Sequence, residues 1–118
     1  MSETGSRNLH YRLDAEMNAV PTTSIGEWAE WFESADKERM LASTSFAGHL
    51  VSTVFVGIDQ SWGEGPPLLW ETMVFRLEDD GEICAADLDC DRYTTFEEAE
   101  AGHEAMVRRW TEKLASEG

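Results

Sequence analysis

The side chains in this chain best suited to hold a metal or move a proton are His10, His49, His103, Cys84 and Cys90. None of the usual close spacings, Cys-x-x-Cys or His-x-x-x-His, occurs among them, so no structural zinc and no cofactor is expected. A Cys/His nucleophilic pair is permitted by composition and supported by nothing else. The segment Asp87-Leu-Asp-Cys-Asp-Arg-Tyr-Thr-Thr-Phe-Glu-Glu98 approaches a calcium loop, with Asp87, Asp89, Asp91 and Glu98 at positions 1, 3, 5 and 12. Arg92 stands where that loop needs glycine for its sharp turn, and Thr94 where it usually carries an apolar residue. The simpler reading is an acidic strand end followed by a helix cap, Thr95 with Glu98 three residues on. There is no phosphate-binding loop, dinucleotide fingerprint or Gly-x-Ser-x-Gly elbow. No catalytic residue is assigned, and the chain reads as a non-enzyme.

Two further residues stand out by position. Phased at 100° per residue, Phe96, Ala99, His103, Met106, Val107, Trp110 and Leu114 share one stripe, so His103 falls where a core should be. It is either a packed imidazole satisfied by backbone or hydroxyl groups, or an acid/base or ligand group. The stretch Leu68–Leu77 alternates with period two. One face carries Leu68, Trp70, Thr72, Val74 and Arg76, and the other Leu69, Glu71, Met73, Phe75 and Leu77. The second is the more apolar, which predicts that it faces the helices. Glu71 would then need a partner or an outlet to water, and His103 is the candidate partner. A pocket lined by Trp70, Glu71 and His103 would follow.

Trp62-Gly-Glu-Gly-Pro-Pro67 is a bent loop that presents Trp62 and Glu64 as candidate contacts. Trp62 could equally fold back over the sheet end. Residues 78–100 hold ten acidic side chains and one basic one, Arg92. Such a run is usually a solvated face; the alternative is an interaction surface that imitates nucleic-acid phosphates, with Asp87, Asp89 and Asp91 among its contacts.

The elements that must position these groups follow from period and punctuation. Residues 1–9 are polar and expected to be disordered. Tyr11–Asp14 is a short strand, and 15–23, with Asn18 and Pro21, a turn and connection. Ser24 and Glu27 form a capping box before a helix over about 25–37, whose apolar stripe is Trp28, Trp31, Phe32 and Ala35. Strands are expected at Met40–Phe46, His49–Ile58, Leu68–Leu77 and, as a short edge, Ile83–Leu88. Ala47-Gly48 and Asp80-Gly81 mark turns between them. A helix over about 96–115 ends the chain. Short loops favour an antiparallel meander. The fold class is α+β: about four antiparallel strands with two helices on one face, in a single domain spanning 1–118. Along one strand Cys84 and Cys90 would lie about 20 Å apart at ~3.3 Å per residue, so two free thiols are expected.

Asp and Glu number 24 against 9 Lys and Arg, a net charge of −15, in 118 residues. Such a surface repels phosphate backbones and anionic membranes, so neither nucleic acid nor membrane is an expected partner. The first ten residues lack a basic, then apolar, leader, and no stretch approaches the roughly 20 apolar residues a bilayer needs. With two unpaired thiols this predicts a cytoplasmic protein.

Val51-Ser-Thr-Val-Phe55, Gly65-Pro-Pro-Leu-Leu-Trp-Glu-Thr-Met-Val-Phe75, Arg92-Tyr-Thr-Thr95 and Ala101-Gly-His103 together resemble a family of small bacteriophage and prophage proteins of unassigned function. The resemblance spans about Trp28 to Val107 and departs between Arg76 and Asp91, where this chain looks longer and more acidic. It implies a phage accessory role in the cytoplasm of a bacterial host and brings no catalytic residues. The expected function is binding of a host protein, as an inhibitor of host defence acting through the acidic surface. The rival is a small-molecule or nucleotide binder, or a small enzyme, using the Glu71–His103 pocket.

Overall fold

The computed structural model describes residues 10–22, 24–35, 39–59, 61 and 65–117. Trp62 and Glu64 lie outside them, as do residues 1–9 and residues 36–37 of the predicted first helix, which ends at Ser34 with Ala35 as its C-cap. The order of elements is β1 (Tyr11–Leu13), β2 (Ala19–Pro21), α1 (Ile25–Ser34), β3 (Met40–Phe46), β4 (His49–Phe55), β5 (Trp70–Leu77), β6 (Ile83–Tyr93) and α2 (Phe96–Glu117). The last four strands form an antiparallel meander, β3-β4-β5-β6, and β1 and β2 form a separate hairpin. The fold is α+β, as the alternation of short turns and period-two segments requires.

Local chemistry explains the boundaries. Ala47 and Gly48 both have positive φ, 49° and 73°, the two-residue turn whose twist matches the strands it joins. Gly57 ends β4 with φ 76°; a Cβ there would come within 2.9 Å of the Tyr11 carbonyl oxygen. That oxygen accepts from Trp28 Nε1 at 2.7 Å, so α1, β1 and the end of β4 meet at one point. Ser24 Oγ accepts from the Glu27 N–H and opens α1. Thr95 Oγ1 accepts from the Glu98 N–H, while Glu98 Oε1 accepts from the N–H groups of Thr94 and Thr95. The second capping box is thus complete, and it consumes the carboxylate that a calcium loop would need at its last position.

Two elements differ from expectation. Residues 19–21 form β2 rather than a plain connection. The Asp14 carboxylate accepts from the N–H groups of Glu16 and Asn18, and Met17 takes φ 68°, which folds the chain back onto β1. The last strand runs to Tyr93 rather than stopping near Leu88. Asp87, Asp89 and Asp91 lower β propensity, but β6 is an edge strand, where charged side chains reach water and deter pairing with another sheet.

The core lies between the sheet and both helices. Trp31, Phe55, Trp70 and Phe96 stack edge-to-face in sequence, with centroids 5.9, 4.9 and 5.6 Å apart, tying α1, β4, β5 and α2 to one face of the sheet. A second cluster joins Val51 and Val74 to Met106 and Trp110. Within α2 the buried residues are Ala99, His103, Met106 and Trp110, the stripe that helical phasing predicts.

Candidate functional site

Phasing of α2 places His103 over the middle of the sheet, where it is 6% exposed. The first two meander strands each offer a threonine to it, and the third adds one behind them. Thr44 Oγ1, on β3, lies 2.9 Å from Nε2, and Thr53 Oγ1, on β4, lies 2.7 Å from Nδ1. Thr53 is itself bonded to Thr72 Oγ1 on β5, its direct cross-strand partner. A neutral imidazole donates from one ring nitrogen and accepts at the other, so the two threonines take opposite roles. A hydroxyl both donates and accepts, and the chain of bonds is satisfied in either direction. Burial lowers the His103 pKa below its ordinary value of 6.5, with Glu104 opposing the shift. His103 is therefore a neutral core histidine, the first of the two readings its position allows.

The last strand closes this region. Tyr93 faces α2 beside Trp70, and a Cβ on Gly102 would overlap its ring and hydroxyl. Glycine within a helix costs up to about 1 kcal/mol relative to alanine; here the cost admits the tyrosine. Burial raises the Tyr93 pKa, with the neighbouring Thr72 hydroxyl opposing it. Among the described residues the phenol oxygen makes no well-formed hydrogen bond. The Arg92-Tyr-Thr-Thr95 and Ala101-Gly-His103 segments are thus brought together by packing.

Glu71 is elsewhere, and the predicted pairing with His103 does not occur. On β5 the inward face is Trp70, Thr72 and Val74, and Glu71 points to the opposite face with Met73 and Phe75. The proposed pocket of Trp70, Glu71 and His103 does not exist. The error is physical: Thr72 and Arg76 made the true inner face look the more polar, but Thr72 is recruited to a network that a buried imidazole demands. Trp70, 1% exposed, is a core residue. Glu71 instead accepts from Arg92 Nε at 3.0 Å, its direct cross-strand partner, and from the Cys90 thiol at 3.4 Å. Burial and the Glu71 carboxylate push the Cys90 thiol up to about 11, so it remains protonated and unreactive at neutral pH. Cys84 and Cys90 are both free.

The three aspartates of β6 also separate. Asp89 faces inward and accepts from Trp110 Nε1 and from Arg109, each at 3.0 Å. Burial works against its charge, but the bonds from Trp110, Arg109 and the Cys90 N–H outweigh that and lower its pKa. It tethers α2 to β6 and is not a free contact residue. Asp87 and Asp91 are exposed, on opposite faces. Among the described residues no group of three or more His, Cys, Asp or Glu side chains converges on a common point, and no described helix is long and apolar enough to cross a membrane.

The surface that sequence reasoning missed is the outer face of the sheet. Leu50, Val54, Met73, Phe75 and Leu77 lie on it, flanked by Met40, 45% exposed, and Ile83, 53% exposed. None belongs to either core cluster. Among the described residues it carries the ion pair of Arg92 with Glu71. At one end, next to Leu77 and Ile83, the β5–β6 turn exposes Glu78, Asp79, Asp80 and Glu82. The same turn and the β3–β4 turn border a broad, open groove of about 660 Å³ that also holds His49, Arg76 and Cys84. The signal was present in β4, where Leu50 and Val54 alternate with Val51, Thr53 and Phe55, apolar residues on both faces.

No protein family, no curated protein and no solved structure matches the chain.

Proposed function

We propose that this is a phage accessory protein that acts by binding a host protein, with the outer face of the sheet as the contact and the acidic β5–β6 turn as its charged flank. The phage setting rests on the sequence resemblance described above. The observation that carries the binding reading is the outer face itself: an apolar patch on a strongly acidic chain, covered by no described element. Contiguous exposed apolar patches of this kind mark interaction sites more often than chance. The flank of Glu78, Asp79, Asp80 and Glu82 favours a partner whose own apolar patch is bordered by Lys or Arg, such as the rim of a nucleic-acid groove. Inhibition of a host defence protein by occupying such a groove is the activity this chemistry suits.

The test is capture from bacterial host lysate by the tagged chain and by two variants. Met73→Lys with Phe75→Lys should lose the dominant partner while its melting temperature stays close to that of the parent. Asp79→Asn with Asp80→Asn should retain the partner at low salt and flatten the salt dependence of binding. A partner held equally well by all three proteins would exclude this surface.

A further inference from the structure

The two edges of the sheet are built differently. The β6 edge carries Asp87, Asp89 and Asp91 and two irregularities in its register, the usual devices against strand addition. The β3 edge, Met40-Leu-Ala-Ser-Thr-Ser-Phe46, has no charge and no proline, and among the described residues no strand pairs with its free side. Its single irregularity falls at the Met40 end. The Ala47-Gly48 turn makes Phe46 and His49 a hydrogen-bonded pair, so Thr44 and Ala42 bond toward β4. The N–H and C=O groups of Ser43 and Ser45 therefore point outward, and both residues are exposed.

We propose that β3 is a dimerisation edge, on which a second copy of this chain adds its own β3, antiparallel, about a two-fold axis at Thr44. This register sets Ser43 of one copy opposite Ser45 of the other, twice. All four outward groups of each copy are then bonded, and the Met40 irregularity is left outside the pairing. Thr44 meets its counterpart as a non-hydrogen-bonded pair, with Cα atoms about 4.5 Å apart. The occupant follows from charge. Each copy carries −15, and an uncharged edge is where two such copies meet without opposing like charges. A basic partner would instead be drawn to the acidic β5–β6 turn. Because the paired residues have matching parity, the helices of both copies lie on one face of a continuous sheet of twice four strands. The apolar outer faces then lie on the same side, separated at the seam by Ser43 and Ser45 of both copies.

Light scattering during size-exclusion chromatography of the full chain should give twice the 13.3 kDa of one copy at high micromolar concentration. Ser45→Pro removes an outward N–H while leaving the bonds to β4, a position where an edge strand tolerates proline. It should yield a folded monomer, and Ser43→Lys should do the same by charge. In a Cys84→Ser, Cys90→Ser background, Thr44→Cys should cross-link to a covalent dimer on mild oxidation, whereas Ser52→Cys on β4 should not. A monomer at every concentration overturns the proposal. So does an assembly larger than two, or a dimer that survives Ser45→Pro and Ser43→Lys but is split by Met73→Lys with Phe75→Lys, which would place the contact on the outer face. The readout is independent of host-partner capture.

Discussion

Replacing Thr53 with valine removes one hydroxyl and almost no volume, yet it breaks the buried chain at its centre. Thr53 is fully buried and bonded to both His103 Nδ1 and Thr72 Oγ1. The variant leaves a ring nitrogen and a hydroxyl without partners where water does not reach, at a cost of about 1–3 kcal/mol for a buried polar group left unmade. For a chain of 118 residues each kcal/mol shifts the midpoint by about 4 °C, so a fall of roughly 4–12 °C is expected in calorimetry. The companion His103→Phe should also destabilise, by roughly 1–3 kcal/mol from misfit and orphaned threonines. The double variant, apolar on both sides of the lost bond, should be more stable than the sum of the two losses by at least about 0.5 kcal/mol. Strict additivity, or a Thr53→Val midpoint equal to that of the parent, would refute the claim that these bonds hold His103 in the core.

The same histidine sets a pH dependence whose sign can be worked. Its folded pKa lies below the ordinary 6.5, because burial disfavours the imidazolium and only Glu104 opposes this. Above 6.5 both folded and unfolded histidine are neutral and stability is unaffected. As pH falls through 6.5 the unfolded chain takes up the proton first, and stability declines until the folded pKa is reached. Urea midpoints of the parent should fall across that window. Those of His103→Phe should fall less, by the contribution of one proton.

Gly102→Ala should destabilise despite alanine's better helix propensity, because its methyl meets the Tyr93 ring; a rise in melting temperature would mean that the tyrosine moves freely. Asp89→Asn should loosen the end of α2 and steepen hydrogen exchange near Trp110, since the carboxylate joins Trp110 and Arg109 to β6. Because the folded Asp89 pKa lies below 3.8, its stabilisation is present above that value and is lost as pH falls through the folded pKa. Cys90 should resist alkylation at neutral pH in the native protein and react at a normal rate in denaturant; fast native labelling would contradict a thiol raised to about 11.

How much of this was legible depended on whether a residue's place is decided locally. The phase of α2, the capping box at Thr95 and Glu98 and the turns at Ala47-Gly48 and Asp80-Gly81 are local, and the sequence carries them. The face of β5 is not local. Counting apolar residues selects Leu69, Glu71, Met73, Phe75 and Leu77, because the rule assumes that polar residues avoid the core; of these Leu69, just before the strand, does lie in it. Thr72 sits in the core because His103 needs hydroxyls, and that need is visible only when α2 is laid across the strands. The pairing of Glu71 with His103 failed for the same reason. The extension of β6 to Tyr93 was hidden by its aspartates, which lower β propensity and made the strand look shorter than it is.

The acidic composition and the bare sheet face explain one another. A four-stranded sheet with Leu50, Val54, Met73 and Phe75 on its open side invites nonspecific association, and a charge of −15 opposes contacts of that face with other acidic surfaces. Much of the described charge is placed off the patch, on the exposed flank of α2 and at the β5–β6 turn, while Asp87 borders it opposite Phe75 on the β6 edge. On the outer face Arg92 is paired with Glu71. Under the proposed function that face is the contact, and the surrounding negative charge disfavours other surfaces. Lowering the net charge by changing glutamates on the exposed side of α2, Glu97, Glu104 and Glu112, to glutamine leaves that face untouched. It should therefore raise nonspecific retention in host lysate without altering the specific partner. Loss of the partner on those changes would shift the contact from the sheet to the helix.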